Sequence, residues 1–256
     1  MIESLIDVQA IRRRPLLGFL WSFLITSVAV IVAYNIQSIP GVDTGFFAVL
    51  FTIIPSVYFL TVLILREERS EEEAIHHGGI RFWETHGPDI LILLLFFFGI
   101  ALSFSLWSFL LPDNTFLSQV GKINEIRGTG AVTQAAALES IFMNNLQVMG
   151  MAFVFSLVFG TGAIFIIVWN ASVLGVFIGQ FSRAIWEIPI VSISFLPHGI
   201  PEIGGYLAAA LAGGILSAAV LRNRSGILKF VLADSLKLLA LGLVLIAIGA
   251  GIEVLL

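Results

Sequence analysis

Uncharged apolar runs of about twenty residues recur along the whole sequence, and about 20 such residues in a helix cross the roughly 30 Å of bilayer hydrocarbon. Strong runs extend from Leu16 to Ile36, Phe46 to Leu65, Ile90 to Leu111, Leu146 to Trp169, Pro201 to Leu221 and Leu238 to Leu256. Apolar residues make up 58% of the chain and charged residues 12%, against roughly 45–50% and 25% in soluble domains, which excludes an ordinary soluble enzyme. The expected fold is all-α, a polytopic transmembrane helical bundle of six to seven spans that contacts the lipid bilayer.

The first run follows Arg12, Arg13 and Arg14, as a signal peptide would, but continues to Ile36 with no A-x-A-like site near its end. It reads as a retained span. With 13 basic against 17 acidic residues there is no basic surface to collect phosphates, so nucleic acid is excluded as a partner. The absence of cysteine removes disulfides, thiolate nucleophiles and Cys-ligated metal.

Ala171 to Ser194 is apolar overall but carries Gln180, Arg183 and Glu187. Basic residues stay near cytoplasmic span ends, so Arg12 to Arg14 put the N-terminus in the cytoplasm and Arg66, Arg69 and Arg81 mark a loop on the same side. The loop from Pro112 to Asn145, with Lys122 and Arg127, then falls outside. Crossing by 171–194 brings Arg222, Arg224, Lys229 and Lys237 inside, which favours seven crossings in the cell membrane. Arg183 and Glu187 would then form an i,i+4 intramembrane ion pair. The alternative is a broken or re-entrant pair of half-helices. The charged stretch from Gly226 to Lys237, with Asp234 among its polar residues, reads as lying flat on the cytoplasmic surface, and Glu3 to Ile11 as doing likewise.

Organisation follows as an N-terminal two-span hairpin with a charged cytoplasmic loop over 1–89, then a membrane domain over 90–256. Gly175 and Gly179, and the stripe Gly205, Ala209 and Gly213 beside Gly204, Ala208 and Ala212, are small residues at helical spacing that let backbones approach where lipid gives no hydrophobic drive. They serve packing within one bundle or a subunit interface of a homo-oligomer.

Chemistry concentrates in Phe195-Leu-Pro-His-Gly-Ile-Pro-Glu202. The prolines and Gly199 read as a turn leading into a helix, with Glu202 near its N-terminus; a helix starting at Pro197 instead puts His198 and Glu202 on one face. Four uses are open: a divalent-metal half-site, a proton-transfer pair, a hook for a ligand head group, or a hydrogen-bonded structural corner. Asn144 and Asn145 open the fourth span, as helix caps or as part of a polar cluster or pocket with His198 and Glu202 at the outer mouth, and Asn170, a further polar-site candidate, closes that span at the inner end. Arg66 to Glu73, His76, His77, Glu84, His86 and Asp89 form either a metal cluster or, since nothing fixes a ligand geometry, a solvated loop. No resident cofactor is implied.

Asn144-Asn145, Gly160-Thr-Gly162, Asn170 with Gly175, and above all Leu196-Pro-His-Gly-Ile-Pro-Glu202 followed by the Gly/Ala-rich span through Gly213-Gly214, resemble the stage II sporulation protein M family from Ile90 onward. The chain departs in Ala171, where the family tends to have Gly, and in two extra spans before the similar region. The resemblance implies five final spans after an external loop. It also implies a non-enzymatic scaffold or assembly factor recruiting membrane or cell-envelope partners, as the sporulation protein does for peptidoglycan-degrading partners. Relatives in archaea and non-sporulating bacteria widen that role. A transporter or channel with a His/Glu/Asn site, and an intramembrane enzyme using metal or acid/base chemistry, are the alternatives.

Overall fold

The computed structural model describes residues 8–76, 82–128, 134–221 and 228–255. Every regular element among them is helical: α1 (Val8–Arg13), α2 (Leu16–Asn35), α3 (Thr44–His76), α4 (Phe82–Leu110), α5 (Leu117–Gly128), α6 (Gln134–Phe159), α7 (Ala163–Phe181), α8 (Glu187–Leu221) and α9 (Leu228–Leu255), with a 3-10 turn at Asp113–Phe116. Seven of them, all but α1 and α5, are long and apolar enough to cross a membrane. The chain is an all-α, multi-pass membrane bundle. Glu3, His77, Arg81, Arg222, Arg224 and Gly226 lie outside the described residues.

Seven spans agree with the expected number, but three are cut differently. The run from Leu146 to Trp169 is not one helix: α6 ends at Phe159, and Gly160, at φ 69°, turns the chain directly into α7. Glycine alone enters that left-handed region without strain. Asn170 therefore lies within α7 and does not close a span. The segment 171–194 likewise splits between α7, a turn and α8. In that turn Glu187 Oε2 accepts the backbone N–H of Arg183 at 2.8 Å, so the expected intramembrane ion pair becomes an exposed cap between helices. In place of a pair of half-helices stand α7 and α8, each long and apolar enough to cross.

Pro197 and Pro201 do not break α8. Each removes a backbone donor, freeing the carbonyls of Ile193 and Pro197, yet the helix continues on both sides, as neighbouring helices permit in membrane bundles. The charged stretch before the last span does not lie flat either: Lys229 to Lys237 belongs to α9, and Asp234 is buried within the bundle.

Packing explains the arrangement. α8 is the central helix, with Ile203 to Ile215 buried without interruption. A Cβ at Gly205 would stand 2.8 Å from the Gly242 carbonyl of α9, and one at Gly213 2.4 Å from the Phe153 carbonyl of α6. Cβ atoms at Gly175 and Gly179 would stand 2.4 and 2.5 Å from the Ala101 and Ser105 carbonyls of α4. Ala209 is fully buried between them in sequence register. The small-residue stripes thus face helices of the same chain, where close approach supplies dispersion contact. Around the N-terminal hairpin the work passes to aromatics: Phe59 stacks on Phe96 with centroids 4.9 Å apart, and Trp21 covers both.

These contacts fix directions. α4 runs parallel to α7, α6 parallel to α8, and α8 antiparallel to α9. The 36–43 and 182–186 connections share one end of the bundle, and the Gly160 turn lies at the other. Single cysteines at Ser38 and Thr161, introduced without background into this cysteine-free chain, are expected to react with a membrane-impermeant thiol reagent from opposite sides. With a cytoplasmic N-terminus, Ser38→Cys is the one labelled on intact cells. Labelling of both from one side would break the seven-span arrangement.

Candidate functional site

The candidate site is a cavity of about 890 Å³ among α2, α4, α5, α6, α7, α8 and α9, toward the end of the bundle where α4 leads into α5. Its walls are mainly apolar, with Phe97, Phe98, Phe177 and Phe195 contributing rings. Asn144, Asn145, His198, Gly199 and Glu202 all line it, and so does Asn170, which is not at the opposite end as expected because α7 turns back at Gly160 and carries it alongside the others. Ligand pockets of this size, apolar with a few convergent polar groups, are the usual form of small-molecule sites.

Each polar group owes its position to local structure. His198 and Glu202 lie one helical turn apart on α8, so they share a face. They stand well inside the helix, not in a turn with Glu202 at its start. Asn145, nearly fully buried on α6, accepts a hydrogen bond from the Tyr206 hydroxyl through its Oδ1, tying α6 to α8. Asn170 donates to its own helix, Nδ2 to the Ile166 carbonyl at 2.7 Å. Asn144 is exposed at the rim.

Two atoms of these lining residues have no partner: His198 Nδ1 and Glu202 Oε1 are both shielded and unbonded among the described residues. A buried polar group left unmatched costs about 1–3 kcal/mol, so a molecule supplying the missing partner gains directly from them. Glu202 also meets a second carboxyl, that of Glu253 on α9. Gly249 makes this possible, since a Cβ there would stand 2.4 Å from Glu202 Cγ. Neither Tyr206 nor Glu253 stood out in the sequence. Among the described residues no group of three or more His, Asp or Glu side chains is arranged to hold a metal ion.

The mouth is shaped by α5, whose Lys122, Ile123 and Glu125 reach the lining. Gln119 anchors that helix, donating from Nε2 to the Gly45 carbonyl at 3.1 Å and to Ser172 Oγ at 3.2 Å. Ser118 adds a hydrogen bond to Asp43, the residue that caps α3 through the Phe46 N–H.

A second polar cluster lies at the opposite end. His86 on α4 bonds Glu67 Oε1 on α3 through Nδ1 and Asp234 Oδ2 on α9 through Nε2, each at 2.5 Å. Asp89, one turn on, is fully buried 3.7 Å from the Arg12 guanidinium. The solvated-loop reading of Glu67, His86 and Asp89 is therefore corrected: all three are buried where α3, α4 and α9 meet. Each ring nitrogen faces a different carboxylate, which suits a structural bridge between helices better than a chelate.

The family model for stage II sporulation protein M matches residues 92–256, more than half of the chain. An uncharacterized protein of Methanocaldococcus jannaschii is 28% identical over 173 residues, covering 65% of this chain and 92% of the relative. No solved structure matches.

Proposed function

The chain belongs to the stage II sporulation protein M family, and from that premise we propose that it is a membrane-embedded binding protein, not an enzyme. It holds an amphipathic small molecule in the cavity and acts as a scaffold or assembly factor for membrane or envelope partners. The single observation that carries the binding half is the convergence of Asn145, Tyr206, His198 and Glu202 on one largely apolar cavity. A ligand with an apolar body and a compact polar head matches that division. The scaffold half rests on what the family resemblance implies. Transport fits less well, because from Ile203 to Leu221 the central helix α8 offers only Tyr206 and Ser217 as polar side chains, leaving no polar track along α8 toward the other end.

Native mass spectrometry of protein extracted in mild neutral detergent is expected to find a co-isolated amphiphile at one per chain. Ser192→Trp, which fills cavity volume, is expected to reduce its occupancy at least tenfold. Protein that is always empty, or equal occupancy in the variant, overturns the binding half. Gentle extraction from its own membranes should also bring down an envelope partner; a chain that invariably emerges alone overturns the scaffold half.

A further inference from the structure

We infer that the polar end of the cavity is an ammonium subsite: the amphipathic molecule held there carries a protonated amine, placed between Glu202 and Glu253 beside the rings of Phe177 and Phe195. The inference rests on the binding half of the proposed function and names the chemistry of its ligand. It begins from an imbalance of donors and acceptors. The polar end presents two carboxyls: Glu202 of α8 lies against Gly249 of α9, one helical turn from Glu253, and carboxyls this close hold either a shared proton or a cation between them. The hydroxyl proton of Tyr206 is already committed to Asn145. Asn145 supplies one hydrogen bond to the Glu202 carboxyl, yet Glu202 Oε1 and His198 Nδ1 are both left without a partner.

Nor does the described lining supply a free cation. Lys122 is the basic side chain in the lining, and its ammonium group is held by Glu125 Oε2 at 3.0 Å. An alkylammonium head has N–H donors and no acceptor, which is the complement of this set. A phosphate or carboxylate head would face two carboxyls of its own sign. A hydroxyl head would bring one donor and leave the charge unmatched.

The rings strengthen the choice. Phe195 packs edge-on against Phe177, with centroids 5.1 Å apart, and against the His198 imidazole at 5.6 Å. Aromatic faces beside carboxylates stabilise an ammonium group through the ring quadrupole, by an amount that grows when water is excluded. Glu253 is exposed and Glu202 is half-buried with its Oε1 shielded, so an amine entering from the mouth meets the hydrated carboxyl first and the shielded one second.

The test uses the full chain purified in a neutral detergent and compares binding of dodecylamine, dodecanol and dodecanoate, which share one tail. Dodecylamine is expected to bind the wild-type protein at least tenfold more tightly than dodecanol, and dodecanoate most weakly. Glu202→Gln and Glu253→Gln should each weaken dodecylamine at least tenfold while leaving dodecanol within twofold. Equal binding of amine and alcohol, or preference for the carboxylate, overturns the ammonium subsite and leaves the cavity reading standing. Failure of all three to bind overturns both. The wild-type comparison decides the matter even if a variant does not fold.

Discussion

Replacing His86 by leucine is expected to destabilise the bundle by about 3–5 kcal/mol, because it leaves Glu67 and Asp234 buried with nothing between them. Both carboxyls are all but inaccessible, and neither can turn to water without parting α3 or α9 from α4. Lys237, on the exposed side of α9, contacts the other Asp234 oxygen at 3.2 Å and cannot replace the imidazole toward Glu67. The cost is that of stranded charge, so removing the charges should recover it. The triple variant Glu67→Leu, His86→Leu, Asp234→Leu should be more stable than His86→Leu alone. Thermal unfolding midpoints in one detergent, read for the single and triple variants beside wild type, check both statements. A single variant that melts with wild type, or a triple variant no better than the single, would sink the account.

The same cluster indicates how far the sequence could be read. Length and apolarity make a seven-span bundle legible, since nothing but helices satisfies so much backbone in lipid with this pattern. His86 and Asp89 were obscured by their neighbours, the charged run before them and His76-His77. Yet they extend backward the face that Leu93 and Phe96 bury, at spacings of three and four, and that periodicity is the signal that places them inside. Asp234 similarly falls on one face with Val231 and Leu238. The Gly160 turn was hidden for a different reason: a three-residue connection carries no charge to interrupt a hydropathy window, although Gly-Thr-Gly is itself a turn signal. Pro197 and Pro201 misled in the opposite sense. In water two prolines four apart argue against a helix, whereas in a packed membrane bundle surrounding helices hold the segment together. That substitution of solvent is why Glu202 stands in mid-helix facing a cavity. The polar residues themselves were recognisable; their meeting with Tyr206 and Glu253 depends on helix register across α6, α8 and α9, which a single sequence does not encode locally.

Gly213→Leu is expected to prevent correct assembly of the bundle, and Gly150→Ala to do the reverse. At Gly213 even a Cβ would stand 2.4 Å from the Phe153 carbonyl and 2.9 Å from Ser156 Cβ, so the obstacle includes main chain that no rotamer change can remove. α6 would have to move off α8, and with it the Asn145 to Tyr206 bond that closes one side of the cavity. Overpacking at or above the usual upper range of about 3 kcal/mol is expected. At Gly150, on the same helix α6, an added Cβ meets nothing within 4 Å. There only the helix propensity changes, and alanine should add roughly 0.5–1 kcal/mol. Expression of monodisperse protein and its unfolding midpoint give the readout: Gly213→Leu lost or strongly lowered, Gly150→Ala equal to wild type or above it. If Gly213→Leu behaved as wild type, α6 and α8 would not be in backbone contact, and the cavity they enclose would lose its wall. Because lipid provides no hydrophobic force to press these helices together, closeness at glycine supplies much of the attraction, and the cavity is where that closeness gives way to larger side chains.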